Sequence, residues 1–144
     1  MHLKLANSIL YTVGTSNRTK EAFLEILKFY NIKTAVDVRS FSKSRFKHFT
    51  KENLRLILKE NGFNYIDSGK ELGGFRKGGY PAYTETLSFK EGISRLEGIC
   101  NKGTVAFMCA EKLPWKCHRL YIALSLEKRG WQVVHILDKG TVWE

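Results

Sequence analysis

The densest chemistry in the chain lies in one stretch. Cys109-Ala110-Glu111-Lys112-Leu113-Pro114-Trp115-Lys116-Cys117-His118-Arg119 holds two thiols, an imidazole, a carboxylate and a guanidinium. Three chemistries fit these types. The first is nucleophilic: a cysteine thiolate with His118 or Arg119 close by. If Cys117, His118 and Arg119 open a helix, its free N–H groups and the charges of Lys112, Lys116 and Arg119 would lower a thiol pKa and attract an anion. The second is metal binding, since Cys109, Glu111, Cys117 and His118 are all ligand types. Their spacing matches no common zinc site, and helical neighbours such as Cys117 and His118 point about 100° apart. The third is redox, with Cys109 and Cys117 forming a reversible disulfide. Against all three stands a plainer reading: Cys109 as a small core residue, and Cys117 and His118 as helix-start residues. The clustering of five reactive residues within eleven positions favours function.

Other stretches carry weaker signals. In Asp37-Val38-Arg39, the aspartate could orient a neighbour or move a proton, and Arg39 could grip a carboxylate or phosphate with two N–H groups. An ion pair at the sheet rim explains the same residues equally well. Arg45-Phe46-Lys47-His48-Phe49 interleaves cations and rings, as a phosphate backbone with stacked bases would require. A basic loop anchored by Phe46 or Phe49 is the alternative. The glycine-rich run Gly69 to Tyr80 has neither the G-x-G-x-x-G spacing nor the P-loop ending. Its Lys70, Arg76 and Lys77 still permit close approach to an anion, with Tyr80 and Tyr83 closing over it; otherwise it is a long surface loop. Ser16, Asn17 and Arg18 could contact a phosphate or cap a helix.

The elements that position these loops follow from patterning. Ile9–Val13, Thr34–Val38, Phe63–Ile66, Thr104–Cys109 and Gln132–Leu137 read as strands; the second, fourth and fifth are rich in β-branched residues and mostly unalternating, as suits burial on both faces. Between them lie helices. One is capped by Thr19 and carries Phe23, Ile26, Leu27 and Tyr30; another is capped by Thr50 and carries Leu54, Ile57 and Leu58. A Ser88/Glu91 capping box precedes Ile93, Leu96 and Ile99. The last helix starts after Pro114 and ends before Gly130. Alternation of this kind predicts a three-layer α/β/α fold with a mostly parallel, Rossmann-like sheet. Ligands bind beyond the carboxyl ends of strands in such sheets, where the loops above lie.

Composition sets the frame. The chain has 144 residues, 43% hydrophobic and 26% charged, as expected of one α/β domain spanning 1–144. Twenty-four basic against 14 acidic residues give a formal charge of +10, which suits a polyanionic partner or merely a solvated surface. Three cysteines make no disulfide framework and indicate a reducing compartment. With no membrane-length apolar run and no leader pattern, a cytoplasmic location is expected.

Val13-Gly14-Thr15-Ser16-Asn17-Arg18, Val36-Asp37-Val38-Arg39-Ser40, Glu71-Leu72-Gly73-Gly74 and Met108-Cys109-Ala110-Glu111 with Cys117-His118-Arg119 resemble, in order, the motifs of the domain-of-unknown-function family 488. One departure is Thr15, where that family's motif carries histidine. The resemblance implies that Asn17, Arg18, Asp37, Arg39, Glu71, Cys109, Glu111, Cys117, His118 and Arg119 occupy motif positions; it implies no reaction. A fainter resemblance is to rhodanese-like domains, through Asp37-Val38-Arg39, Cys109 and the tail from Gly130 to Gly140. There the cysteine loop is a short turn around an anion, whereas nine residues separate Cys109 from Arg119 here.

These readings converge on an enzyme-like site for a phosphate-bearing ligand, a nucleotide or nucleic acid. Cys109 or Cys117 is the expected reactive thiol, with Asp37, Glu111 and His118 as acid–base or orienting groups. Asn17, Arg18, Arg39, Arg45, Glu71, Arg76, Tyr80 and Arg119 are the expected ligand contacts. A non-catalytic nucleic-acid module and a metal or redox domain are the competing readings. The residues name no cofactor.

Overall fold

The computed structural model describes residues 8–144. Residues 1–7, to which the leader expectation refers, lie outside the described residues. In chain order the elements are β1 (Ile9–Gly14), α1 (Lys20–Phe29), β2 (Thr34–Asp37), α2 (Lys51–Glu60), β3 (Asn64–Asp67), α3 (Gly69–Leu72), α4 (Tyr80–Tyr83), α5 (Leu87–Cys100), β4 (Val105–Cys109), α6 (Arg119–Lys128), β5 (Gln132–Asp138) and β6 (Thr141–Trp143). The strands form one six-stranded sheet in the order β3-β2-β4-β1-β5-β6. All neighbours are parallel except β5 and β6. The architecture is therefore mixed α/β with a mostly parallel sheet. Among the described residues no helix is long and apolar enough to cross a membrane.

Local chemistry explains the helix starts. The Thr19 hydroxyl accepts from Ala22 N and that of Thr50 from Asn53 N, each satisfying an N–H without a partner in the helix. The third long helix departs from expectation. Its cap is Thr86, which accepts from Phe89 N, and Ser88 and Glu91 lie inside the helix. The Thr86 hydroxyl also donates to Tyr83 O, tying α4 to α5, a contact that Ser88 would reach two residues too late. The last helix departs as well. Pro114 starts only a 3-10 turn over Pro114–Lys116; Cys117 is extended, and the α-helix begins at Arg119. Gly130, at φ 95°, closes that helix as a glycine past the carboxyl end should. The strand β6 was not foreseen: three exposed residues after Lys139-Gly140 carry too little apolar pattern to read as a strand.

Burial divides by strand parity. In β4, Val105, Phe107 and Cys109 join a cluster with Phe89, Ile93 and Leu96 of α5 and Ile122, Ala123 and Leu126 of α6. Ala106 and Met108 join another with Phe23, Ile26 and Leu27 of α1 and Leu54 and Leu58 of α2. Period-two alternation delivers successive side chains to opposite faces. Each fully buried leucine, isoleucine or phenylalanine contributes about 1.5–3 kcal/mol. The core therefore fixes β4 between β2 and β1, and with it the direction in which Cys109 leaves the sheet.

Candidate functional site

The carboxyl ends of β1, β2 and β4 open into a cleft of about 770 Å³. Its walls come from Thr15, Ser16 and Asn17 after β1, Arg39 to Phe41 and Lys43 to Phe46 after β2, and Gly74, Phe75 and Tyr80 from the loop after α3 into α4. Cys109, Ala110 and Glu111 after β4, and Lys116, Cys117 and His118 before α6, complete it. The loops after β1 and β4 are locked together: Thr15 N donates to Cys109 O and Ser16 N to Ala110 O, both at 2.8 Å. Gly14 makes this possible, because a Cβ there would collide with the Glu111 carbonyl.

At the cleft wall Cys109 and Cys117 bring their sulfurs to 2.7 Å, and both cysteines are free. The extended backbone at Cys117 turns its side chain back toward the end of β4. Arg119 lies beneath, fully buried. Its Nη1 donates to Cys109 Sγ at 3.0 Å and to Glu111 O at 2.6 Å, and its Nη2 to Lys112 O at 3.1 Å; its Nε has no partner among the described residues. Among the described residues no carboxylate pairs with this guanidinium. A buried charge requires a counter-charge, and the group in hydrogen-bond reach that can supply one is the Cys109 thiolate. Burial pushes the Cys109 thiol up. The Cys117 hydrogen bond, the Arg119 charge and the Glu111 backbone outweigh it and bring Cys109 down to about 7. Cys117 moves the other way, its proton held chiefly by the hydrogen bond to Cys109 and by burial. One thiolate and one thiol thus share a proton-bearing contact.

His118 extends this chain. Its Nε2 lies 2.7 Å from Val38 O, an oxygen that can only accept, so Nε2 carries the proton. Nδ1 is left as an acceptor 3.5 Å from Cys117 Sγ. Burial, with Arg119 and Arg76 nearby, lowers the His118 pKa despite the Val38 bond, so the ring is neutral.

Asp37 and Arg39 are committed to each other. Arg39 Nε and Nη2 reach both Asp37 oxygens at 2.9 and 2.7 Å, Arg39 N adds a third bond, and Nη1 donates to Phe49 O. Tyr65 OH donates to the same carboxylate at 2.6 Å, and burial followed by the Asp37 charge raises its pKa. Asp37 is fully buried and does not reach the cleft, whereas Arg39 forms part of its wall.

The other expected residues divide. Asn17, Arg45, Tyr80 and Glu111 line the cleft; Tyr80 OH is used on Leu72 O, and Glu111 Oε1 accepts from Leu113 N. Arg18 braces β1 to β5 through Gly14 O, Leu137 O and Asp138. Glu71 pairs with Arg95, which holds its carboxyl below the usual range. Arg76 folds onto Gly73 O and Lys70 O and lies over the Tyr83 ring. None of these three lines the cleft, nor does Arg119. Two residues not singled out in the sequence stand at its mouth: Phe41, 60% exposed, and Phe75, 87% exposed, with ring centroids 5.2 Å apart. Phe75 sits at φ 58°, a conformation unusual for a bulky residue. Its place among glycines was the one available signal. Lys43, Arg45 and Lys116, all exposed, give the cleft its positive rim. Among the described residues no group of three or more histidine, cysteine, aspartate or glutamate side chains is arranged to hold a metal ion.

A central strand of a mostly parallel sheet thus delivers a buried cysteine to a cleft with a basic rim. The family described as Domain of unknown function DUF488 matches residues 19–126, and the chain belongs to it. The motif from Val13 to Arg18 precedes that span. No curated protein and no solved structure matches the chain, so the rhodanese resemblance rests on the quoted residues alone.

Proposed function

We propose that the chain is a three-layer α/β/α, Rossmann-like protein of a reducing cytoplasm whose cleft binds a phosphate-bearing ligand beside Cys109 as the reactive thiol. The observation that carries this reading is Arg119: buried, without a carboxylate partner, and 3.0 Å from the Cys109 sulfur. Arg119 acts on the thiol and is a positioning residue. Contacts to phosphate oxygens fall to Lys43, Arg45 and Lys116 at the rim. Phe41 and Phe75 suit the flat face of a nucleobase, since aromatic rings stack on bases of any sequence. Asp37, paired with Arg39, holds the β2 loop and takes no part in proton transfer.

The test is a pH titration of thiolate absorbance near 240 nm on reduced protein and on Cys109→Ser. The expected midpoint is about 7, absent in the variant. A wild-type signal that rises only at the ordinary thiol value of 9.0 would overturn the reading. Binding of a short oligonucleotide at two salt concentrations separates the competing module. A steep loss with salt that ignores Cys109→Ser would assign the cleft to nucleic-acid binding without thiol chemistry.

A further inference from the structure

We infer that Cys109 and Cys117 are the attacking and resolving thiols in the two-electron reduction of a small anionic disulfide. The inference deepens the thiolate reading above and depends on it. Four features on one wall support it. The sulfurs stand 2.7 Å apart, and a disulfide bond of roughly 2.0 Å needs only a small approach. Arg119 Nη1 and the first backbone N–H of α6 point at the pair, the latter 3.5 Å from Cys117 Sγ. His118 Nδ1 lies beside Cys117 and can take its proton. Cys109 exposes only 2% of its surface, so the reacting end of the partner must be slender, while Lys43, Arg45 and Lys116 select negative charge on the rest of it.

The steps balance as follows. The Cys109 thiolate attacks one sulfur of R–S–S–R; that bond breaks, one R–S⁻ leaves, and Cys109 is joined to the other half. Its negative charge is then gone. Arg119 and the α6 N–H are released to stabilise a thiolate on Cys117, whose proton passes to His118 Nδ1. The Cys117 sulfur attacks Cys109 Sγ, displaces the second R–S⁻ and closes the Cys109–Cys117 disulfide; the displaced thiolate collects the proton from His118. Two electrons have moved from the cysteine pair to the substrate, yielding R–S⁻ and R–SH. An external dithiol returns the pair to its reduced form. A thiol whose pKa lies near ambient pH attacks disulfides best, and Cys109, at about 7, meets that condition. The third cysteine, Cys100, packs against the α5–α6 core and is pushed up to about 12 by burial, so it takes no part.

The experiment uses 5,5′-dithiobis(2-nitrobenzoate), a dianionic disulfide, on reduced full-length protein carrying Cys100→Ala, at pH 7. With both thiols present, two thionitrobenzoates are released per chain and mass spectrometry finds no adduct. With Cys117→Ser, one is released and the other half stays bound to Cys109. With His118→Gln, the first release keeps its rate and the second slows. Raising the ionic strength, which screens the rim lysines and arginine, slows the first release on the order of tenfold. An adduct that persists on Cys109 while Cys117 is intact overturns the resolving role and leaves the thiolate reading standing. No release from either protein overturns both.

Discussion

The protein buries two arginines at the carboxyl ends of adjacent strands and uses them differently. Arg39, beyond β2, is matched by the Asp37 carboxylate through three hydrogen bonds. Arg119, beside the end of β4, faces a cysteine sulfur and two carbonyls. The first is an electrostatically closed pair whose work is to hold a loop. The second leaves positive charge that can be balanced only by taking a proton from Cys109. Asp37-Val38-Arg39 also carries reactive types, yet its charges cancel inside the protein.

The sharpest way to break the comparison is Asp37→Asn. It strands the Arg39 charge in the interior and removes the acceptor of Tyr65 OH. A loss of about 3–5 kcal/mol in urea unfolding is expected, with the Cys109 titration unchanged in the fraction that folds. A shifted Cys109 midpoint would mean that the two arginines are coupled.

Arg119→Met is the matching change on the other side, and its effect depends on pH. Cys109 titrates at about 7 folded and at the ordinary 9.0 unfolded. The thiolate's contribution to stability is therefore complete above pH 9, declines as pH falls toward 7 and is absent below that. Wild type should gain stability from pH 7 to 9, and Arg119→Met should lose that slope. At pH 6 the variant should lose only the guanidinium's hydrogen bonds to the Glu111 and Lys112 carbonyls, about 1–3 kcal/mol. Equal costs at pH 6 and 9 would show that Cys109 carries no charge in the folded protein.

Two glycines extend the contrast more gently. A Cβ on Gly14 would strike the Glu111 carbonyl that Arg119 holds, and one on Gly69 would strike the Arg39 carbonyl. Either alanine variant should cost about 1–3 kcal/mol, the usual range for overpacking. Only Gly14→Ala should raise the Cys109 midpoint. Equal midpoints in both variants would remove the Glu111 loop from the control of the thiol.

Much of this was legible in the residues, for physical reasons. Apolar runs and hydroxyl caps are local, so five strands, the Thr19 and Thr50 caps and the position of Cys109 at a strand end could be read directly. Reactive types clustered from Cys109 to Arg119 are also local. Partnership is not. Arg18 finds Asp138, Glu71 finds Arg95, and Arg76 folds onto its own loop; none of these pairings has a sequence spacing that announces it. Arg119 was expected at the ligand because arginines bind anions, and burial turned it toward a sulfur instead. The aromatic mouth was invisible because Phe41 and Phe75 lie 34 residues apart and meet only through the fold.

The smallest effect is expected where exposure replaces burial. Phe75 holds a left-handed backbone, which glycine adopts at little cost. Its exposed contact with Phe41 contributes about 0.5–1.5 kcal/mol at most. In Phe75→Gly the relief of strain and the loss of that contact oppose each other, so folding stability should change by less than about 1 kcal/mol. Affinity for a nucleoside monophosphate, measured by calorimetry, should fall on the order of fivefold or more if a base stacks there, since one stacked base is worth about 1–3 kcal/mol. The same variant should leave the Cys109 titration untouched. A large loss of stability would make the ring a structural strut. Unchanged affinity would confine recognition to Lys43, Arg45 and Lys116, and the ligand to its anionic end.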